Sequence, residues 1–433
     1  MKKTILAVTI ALVIVAASLV AYLVVQRPNA PAISQTPTAQ PPGTSTSPQS
    51  TPAQPPVTST TTTHPVSTTQ SQTTQPTTTT QPSGQAGYVI VVDLLNRTVK
   101  VPTNVTRVVA IGPGALRLVA YLNATDLLVG VEQMDQQAPA LGCDYRMAYL
   151  KLFQSLPTIG QGGPGKPPNV EAIIAVRPQV IVMSEAYKSF IDPDELSRVT
   201  GAAVIVVSGF IDLAGGAPDS FYKSVTILGK ALGREQRAHQ LIVYVKSLIE
   251  DLYNRTKDVK NRPSVYVGAV SAKGGQPFTS TWGRYPPLAL LNTPSIADTL
   301  GKPGLVAVDM EYIIKTQPDY IFIDVINLDA VLQDFQKDPS KYCMIKAFKE
   351  GRVYGILPVN FYGTNVPIVF ADAYFIGKVL YPDKFKDVDP AAKADEIYKM
   401  LLGRPLTQDF TEGYKQLYGA DVAFQNISFL FKC

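Results

Sequence analysis

A short pattern occurs twice in this chain, and it limits the possible folds more than any other feature. Residues 169–181 read Asn-Val-Glu-Ala-Ile-Ile-Ala-Val-Arg-Pro-Gln-Val-Ile, and residues 309–321 read Asp-Met-Glu-Tyr-Ile-Ile-Lys-Thr-Gln-Pro-Asp-Tyr-Ile. Glu171, Ile173, Ile174, Pro178 and Ile181 recur without a gap as Glu311, Ile313, Ile314, Pro318 and Ile321. Asn169 or Asp309 can cap the start of a short helix, and a Glu two residues on sits where the helix dipole favours negative charge. The paired isoleucines are expected to face a core and the proline to stop the helix. An apolar strand follows in each copy, Val180–Met183 and Tyr320–Ile323. Two copies so far apart predict two similar α/β lobes with a cleft between them.

The rest of the folded region has the same rhythm. Residues 88–93 and 98–101 alternate like a small hairpin around Asn96, and residues 107–112 form an apolar strand ending in Gly112-Pro113-Gly114. Strands are predicted again over 127–131, 180–184 and 203–208, with helical segments between them. From about 220 to 258 the pattern is helical, broken near Gly233. Its later half, 235–257, carries Leu241, Val245, Leu248 and Leu252 at helical spacing. The β-α alternation resumes over 265–270, 320–324 and 353–357. Such alternation predicts mostly parallel sheets with helices on both faces.

The N-terminal region follows different rules. Lys2-Lys3 precede an uncharged apolar run from Thr4 to Gln26 that ends before Arg27. The run is long enough to span a bilayer with its lysines in the cytoplasm. Ala16-Ala17 and Ala21 leave cleavage as a signal peptide open. No Cys lies near the end of the run, which excludes a bacterial-type lipid anchor. Residues 28–86 contain no Asp, Glu, Lys or Arg and are dominated by Thr, Pro, Gln and Ser. They are expected to form a disordered, O-glycosylated stalk or an inert spacer. As polyproline II, at ~3.1 Å per residue, the stalk would extend on the order of 180 Å, and as a flexible coil roughly 45 Å. Of the net charge of +5, Lys2, Lys3 and Arg27 supply +3, leaving +2 for the rest. That balance, with no basic tract, gives nucleic-acid binding no support. Five sequons (Asn96, Asn104, Asn123, Asn254, Asn426) suit an exported glycoprotein. Cys143 and Cys343 could pair in an oxidising exterior, although spacing cannot establish it.

Several segments resemble a known family. Val92-Asp93-Leu94-Leu95-Asn96-Arg97-Thr98-Val99-Lys100-Val101-Pro102 is similar to the opening of class III substrate-binding proteins of ABC importers, which capture iron–siderophore complexes and cobalamin. Arg107 to Pro113, Gly160 to Pro168 with the first repeat, Pro277-Phe278-Thr279-Ser280, and the second repeat extend the resemblance over nearly all of residues 88–420. It implies two Rossmann-like lobes bridged by one long connecting helix, with limited closure on ligand. The expected domains are an anchor or signal (1–27), the stalk (28–86), an N-terminal lobe (87–232), the connecting helix (233–260) and a C-terminal lobe (261–433). The resemblance also implies that Glu171 and Glu311 dock against a membrane permease, which works with its own ATPase. As helix-start carboxylates alone they would contribute about 0.3–1 kcal/mol to each helix. A monomer on the outer face of the cell membrane is expected.

Ligands of open α/β folds lie beyond the carboxyl ends of the strands. On that rule the first lobe offers Gly112, Pro113, the Gly160–Gly165 loop and Tyr187. The second offers Phe278, Thr279, Ser280, Trp282, Arg284, Tyr285, Asn327, Asn360 and Tyr362, with Lys273 and Arg146 as weaker candidates. The segment from Phe278 to Tyr285 holds the only Trp, with aromatic, hydroxyl and guanidinium groups suited to a planar or macrocyclic chelate.

The chain has only two histidines, His64 in the stalk and His239 in the connecting helix, so a His-rich metal site is excluded. Nor does the sequence display a tight pair of tyrosines with a carboxylate for bare ferric iron. A ligand that is already chelated fits better: a ferric siderophore-like complex, or alternatively cobalamin or another metal chelate. No cofactor is expected. Enzymes of similar lobe design need Cys or His at a metal centre, and no nucleophile or phosphate-loop motif is present, so catalysis is not expected. An adhesive or structural surface protein is the alternative of another class.

Overall fold

The computed structural model describes residues 87–215, 218–271 and 275–433. The expected anchor and stalk lie outside the described residues, among which no helix is long and apolar enough to cross a membrane.

Strands β1 (Tyr88–Val92) and β2 (Thr98–Pro102) pair antiparallel as the hairpin, with Asn96 at its turn in the left-handed region. The first lobe is built on a wholly parallel sheet of order β4-β3-β5-β6, from β3 (Val108–Ile111), β4 (Leu128–Gly130), β5 (Val180–Ser184) and β6 (Ala203–Val207). Its side chains alternate between two apolar layers. Val108, Ala110, Val180, Val182, Ile205 and Val207 join the large core, while Val109, Ile111, Ile181, Met183, Val204 and Val206 form a second cluster on the other face. Because both faces are covered, each strand reads as a continuous apolar run.

The second lobe repeats the plan with order β12-β11-β10-β7, from β7 (Val265–Gly268), β10 (Tyr320–Asp324), β11 (Val353–Ile356) and β12 (Gln425–Asn426). Only β12 runs antiparallel there. Strands β8 (Ser280–Gly283) and β9 (Gly304–Ala307) form a separate antiparallel pair. The strand expected over 265–270 stops at Gly268 because Ala269 takes φ +58°, a conformation that cannot continue a ladder. β3 likewise ends before Gly112, at φ +83°.

The two repeats form the helices Val170–Ala175 and Met310–Thr316, each leading into a core strand. Asn169 caps the first, its Oδ1 accepting from the Ala172 N–H at 3.0 Å, whereas Asp309 makes no side-chain cap. Only one isoleucine of each pair is fully buried. Ile173 and Ile313 reach the core, but Ile174 is 42% exposed, since neighbours on a helix point about 100° apart.

The long helical stretch is two helices, Asp219–Leu232 and Glu235–Thr256, separated by Gly233 at φ +65°. The longer buries Ala238, Leu241, Val245, Leu248 and Leu252 along one stripe, as a 3.6-residue period requires. Hydrogen bonds also hold the lobes together. The Tyr149 hydroxyl donates to the Leu402 carbonyl at 2.8 Å and the Tyr414 hydroxyl to the Leu141 carbonyl at 2.9 Å. The loop 360–365 adds more: Thr364 N–H donates to the Gly209 carbonyl, and Asn365 Nδ2 to the Gly142 carbonyl.

The disulfide joins Cys343 to Cys433, not to Cys143. Cys143 is a buried free thiol at the seam between the lobes, 3.5 Å from the Phe361 carbonyl. The bridge fastens the C-terminus beside Phe431, whose ring packs with Phe335, Tyr342 and Phe348.

Candidate functional site

The loops after β3, β5, β6 and β11, with the glycine loop 160–165, converge on a cavity of about 420 Å³. Pro113, Gly163, Tyr187, Phe190 and Phe210 line it from the first lobe, and Asn360 and Tyr362 from the second. Two glycine turns make the approach possible. Gly112, at φ +83°, lies so close to the Tyr187 ring that a Cβ would come within 2.8 Å of Tyr187 Cδ1. Gly363, at φ +99°, lets loop 360–365 press against Gly209 and Arg117, where a Cβ would sit 2.6 Å from the Gly209 carbonyl oxygen.

Beneath the cavity lies Glu132, two residues past the end of β4 and only 2% exposed. Its Oε1 accepts from the Tyr187 hydroxyl at 2.8 Å, and its Oε2 from the Tyr362 hydroxyl at 2.9 Å and the Gly112 N–H at 3.1 Å. The two hydroxyls are 3.1 Å apart, and Gly163 N–H donates to that of Tyr362 at 3.0 Å. Burial, and then the neighbouring Asp135 carboxyl, raise Glu132 from 4.5 to about 7 against the lowering effect of these hydrogen bonds. Asp135 is itself raised to about 6 by burial, and its Oδ1 accepts from the Tyr145 hydroxyl. Both lobes thus contribute to one buried hydrogen-bonded triad of a carboxyl and two phenols.

Of the residues singled out in the sequence, Pro113, Tyr187, Asn360 and Tyr362 line this cavity, with Gly112 directly behind Tyr187. Trp282 and Arg284 line an adjacent depression of about 310 Å³, which shares Phe210 with the first. Arg284 is exposed and donates through Nη2 to the Ala214 carbonyl at 3.1 Å.

The others serve the second lobe internally. Phe278 is buried against Tyr266, Tyr342 and Phe348, and Tyr285 is buried against Asp372. Ser280 donates to the Val270 carbonyl, and the Thr279 carbonyl accepts from Val308 N–H. Asn327 Nδ2 donates to the Ala269 carbonyl at 2.8 Å. These groups are engaged within the second lobe and do not line the cavity, although Thr279 is only half-buried. Arg146, a weaker candidate, is buried and donates to the Gln137 carbonyl. Lys273 lies outside the described residues. The tyrosine–carboxylate cluster not evident in the sequence is present, with Glu132 as the member that went unrecognised. Its signal was its place at the carboxyl end of a core strand.

Another depression, of about 560 Å³, lies between the hairpin and helix Asp219–Leu232. The first lobe alone lines it, so the cavity between the lobes is the better candidate site.

Two α/β lobes with an aromatic cleft at the carboxyl ends of their strands are suited to holding a solute. The family described as periplasmic binding protein matches residues 108–359, and the chain belongs to it. It is similar to an uncharacterised ABC transporter substrate-binding lipoprotein, YvrC, of Bacillus subtilis: 24% identical over 309 residues, covering 69% of this chain and 87% of that one. The molybdate-binding protein MolA of Haemophilus influenzae is 22% identical over 327 residues, covering 72% and 90%. Among solved structures, an ABC transporter solute-binding protein from Sulfurospirillum deleyianum shares the fold with a TM-score of 0.57 at 21% identity, covering 76% of this chain and 99% of that one. The chain is a substrate-binding protein of an ABC transporter.

Proposed function

We propose that this protein captures a metal chelate, an iron complex of the ferric siderophore kind, and delivers it to the permease of an ABC importer. The observation that carries the chelate class is the cavity wall: Tyr187, Phe190, Phe210 and Tyr362 offer aromatic surface from both lobes. Aromatic faces suit the organic shell of a chelate. The choice of iron follows from the family resemblance, and cobalamin or another metal chelate is the alternative within the same class.

Capture takes place outside the cell, with the N-terminal segment and stalk as tether. Glu171 and Glu311 act as the handles for the permease; both are exposed in the first turns of their helices. Titration with ferric siderophores, cobalamin, molybdate and free metal ions, read by Trp282 fluorescence and by calorimetry, tests the proposal. Saturable binding of a chelate is the expected result. Preference for molybdate or a bare ion would overturn the chelate reading, and no response to any small ligand would favour an adhesive role.

A further inference from the structure

We infer that the cavity selects ligands of zero or positive net charge and rejects anions, and that Glu132 sets this preference. The inference deepens the chelate reading and rests on it for the choice of probes.

Charge around the cavity is one-sided. Among the described residues no Lys or Arg lines it. Lys166 and Arg146 line a separate depression beyond Gly163 and Pro164, and Arg284 lies across Phe210 with a carbonyl partner. Below the floor, Glu132 has hydroxyl and amide donors but no cation. Its bonded neighbours are Tyr187, Tyr362 and Gly112, and the charged group that acts on it is the Asp135 carboxyl. The influence of Arg117 and Arg146 falls on Asp135.

Three oxygen–oxygen contacts, at 2.8, 2.9 and 3.1 Å, link Glu132, Tyr187 and Tyr362. With Glu132 ionised, both hydroxyl protons point at the carboxylate and the contact between the hydroxyls has none. With Glu132 protonated, three protons serve three contacts and the ring closes. The resting site therefore favours a neutral acid, in keeping with the raised Glu132 pKa.

A cation in the cavity changes that balance. It would lie against the Tyr187 and Phe190 rings, which meet edge to face with centroids 5.5 Å apart, and aromatic faces attract cations. It would also favour the ionised carboxyl, since Coulomb interactions strengthen where water is excluded. The proton leaves for solvent as the cation arrives. An anion would find no counter-charge and would raise Glu132 further.

The test uses ferric trihydroxamates with one chelating core and three pendant groups: ammonium, acetamide and succinamate. In full-length protein at pH 7.5, affinity should fall by about tenfold or more from the cationic to the anionic member. In Glu132→Gln that difference should shrink. Calorimetry at pH 6.5 in two buffers of different ionisation enthalpy should show proton release with the cation in the wild type and none in the variant. A second arm uses a naphthyl ammonium and a naphthalene sulfonate. Binding of the ammonium alone, with no hydroxamate bound, would sink the chelate reading and uphold the charge preference. Equal or tighter binding of the anionic members in either arm, or no binding in both, overturns the inference.

Discussion

Arg117 of the first lobe and Asn365 of the second meet side chain to side chain, Nη2 to Oδ1 at 2.7 Å, with both residues buried. The same guanidinium pairs through Nε with Asp144 at 2.9 Å and reaches the carbonyls of Phe361 and Tyr362. Burial alone would lower its pKa, but Asp144, Tyr121 and Tyr145 outweigh that, and Arg117 is held above the usual arginine range. One side chain thus fastens the loop that carries Tyr362.

Arg117→Ala leaves Asp144 buried without its cation. A loss of about 3–5 kcal/mol in unfolding free energy is expected, together with weaker ligand binding as the loop loosens. Urea denaturation and calorimetry would check both; a loss under about 1 kcal/mol, the range of surface pairs, would show that the clasp is not structural.

Glu132 should leave a mark on stability against pH. Its folded pKa, about 7, lies above its ordinary 4.5, so the folded state holds the proton more tightly. Its effect is therefore absent below about pH 4.5 and becomes destabilising as pH rises towards 7, by at most about 3 kcal/mol. Asp324, raised to about 7 by burial, acts in the same direction. Urea midpoints from pH 5 to pH 8 should fall in the wild type and fall less in Glu132→Gln. Equal slopes would place the ionised form comfortably inside the fold.

Cys433→Ser opens a bridge across 90 residues. The expected cost is about 2–5 kcal/mol, seen as a lower melting temperature that reductant does not lower further. Cys143 should stay unreactive to thiol reagents until the protein unfolds, because it is buried and its pKa is pushed up to about 11 by that burial.

Charge reversal at the two proposed permease contacts, Glu171→Lys with Glu311→Lys, should abolish uptake while leaving ligand affinity unchanged. Transport assays beside calorimetry separate the two effects. Reduced affinity would mean that these carboxylates serve the lobes rather than the transporter.

Local pattern carried much of this architecture. Strands β5 and β10 are apolar enough to announce themselves, and the repeat located both short helices within a residue or two. What stayed hidden depends on distant contacts. Glu132 lies 55 residues from Tyr187 and 230 from Tyr362, and a lone carboxylate after a strand looks like an ordinary surface charge. Phe278 and Trp282 share a segment, but only Trp282 faces a depression; the choice between them is made by the aromatic cluster of Tyr342 and Phe348. Cysteine pairing was equally illegible, since Cys143 faces the seam and Cys433 arrives from the far end of the chain.

The loop 360–365 does two jobs within six residues: Tyr362 forms part of the cavity wall, and Asn365 closes the clasp on Arg117. Retention and grip are therefore mechanically the same act. Displacing this one strap would open the cavity wall and release the Arg117 clasp together, while the Tyr149–Leu402 and Tyr414–Leu141 hydrogen bonds still hold the lobes.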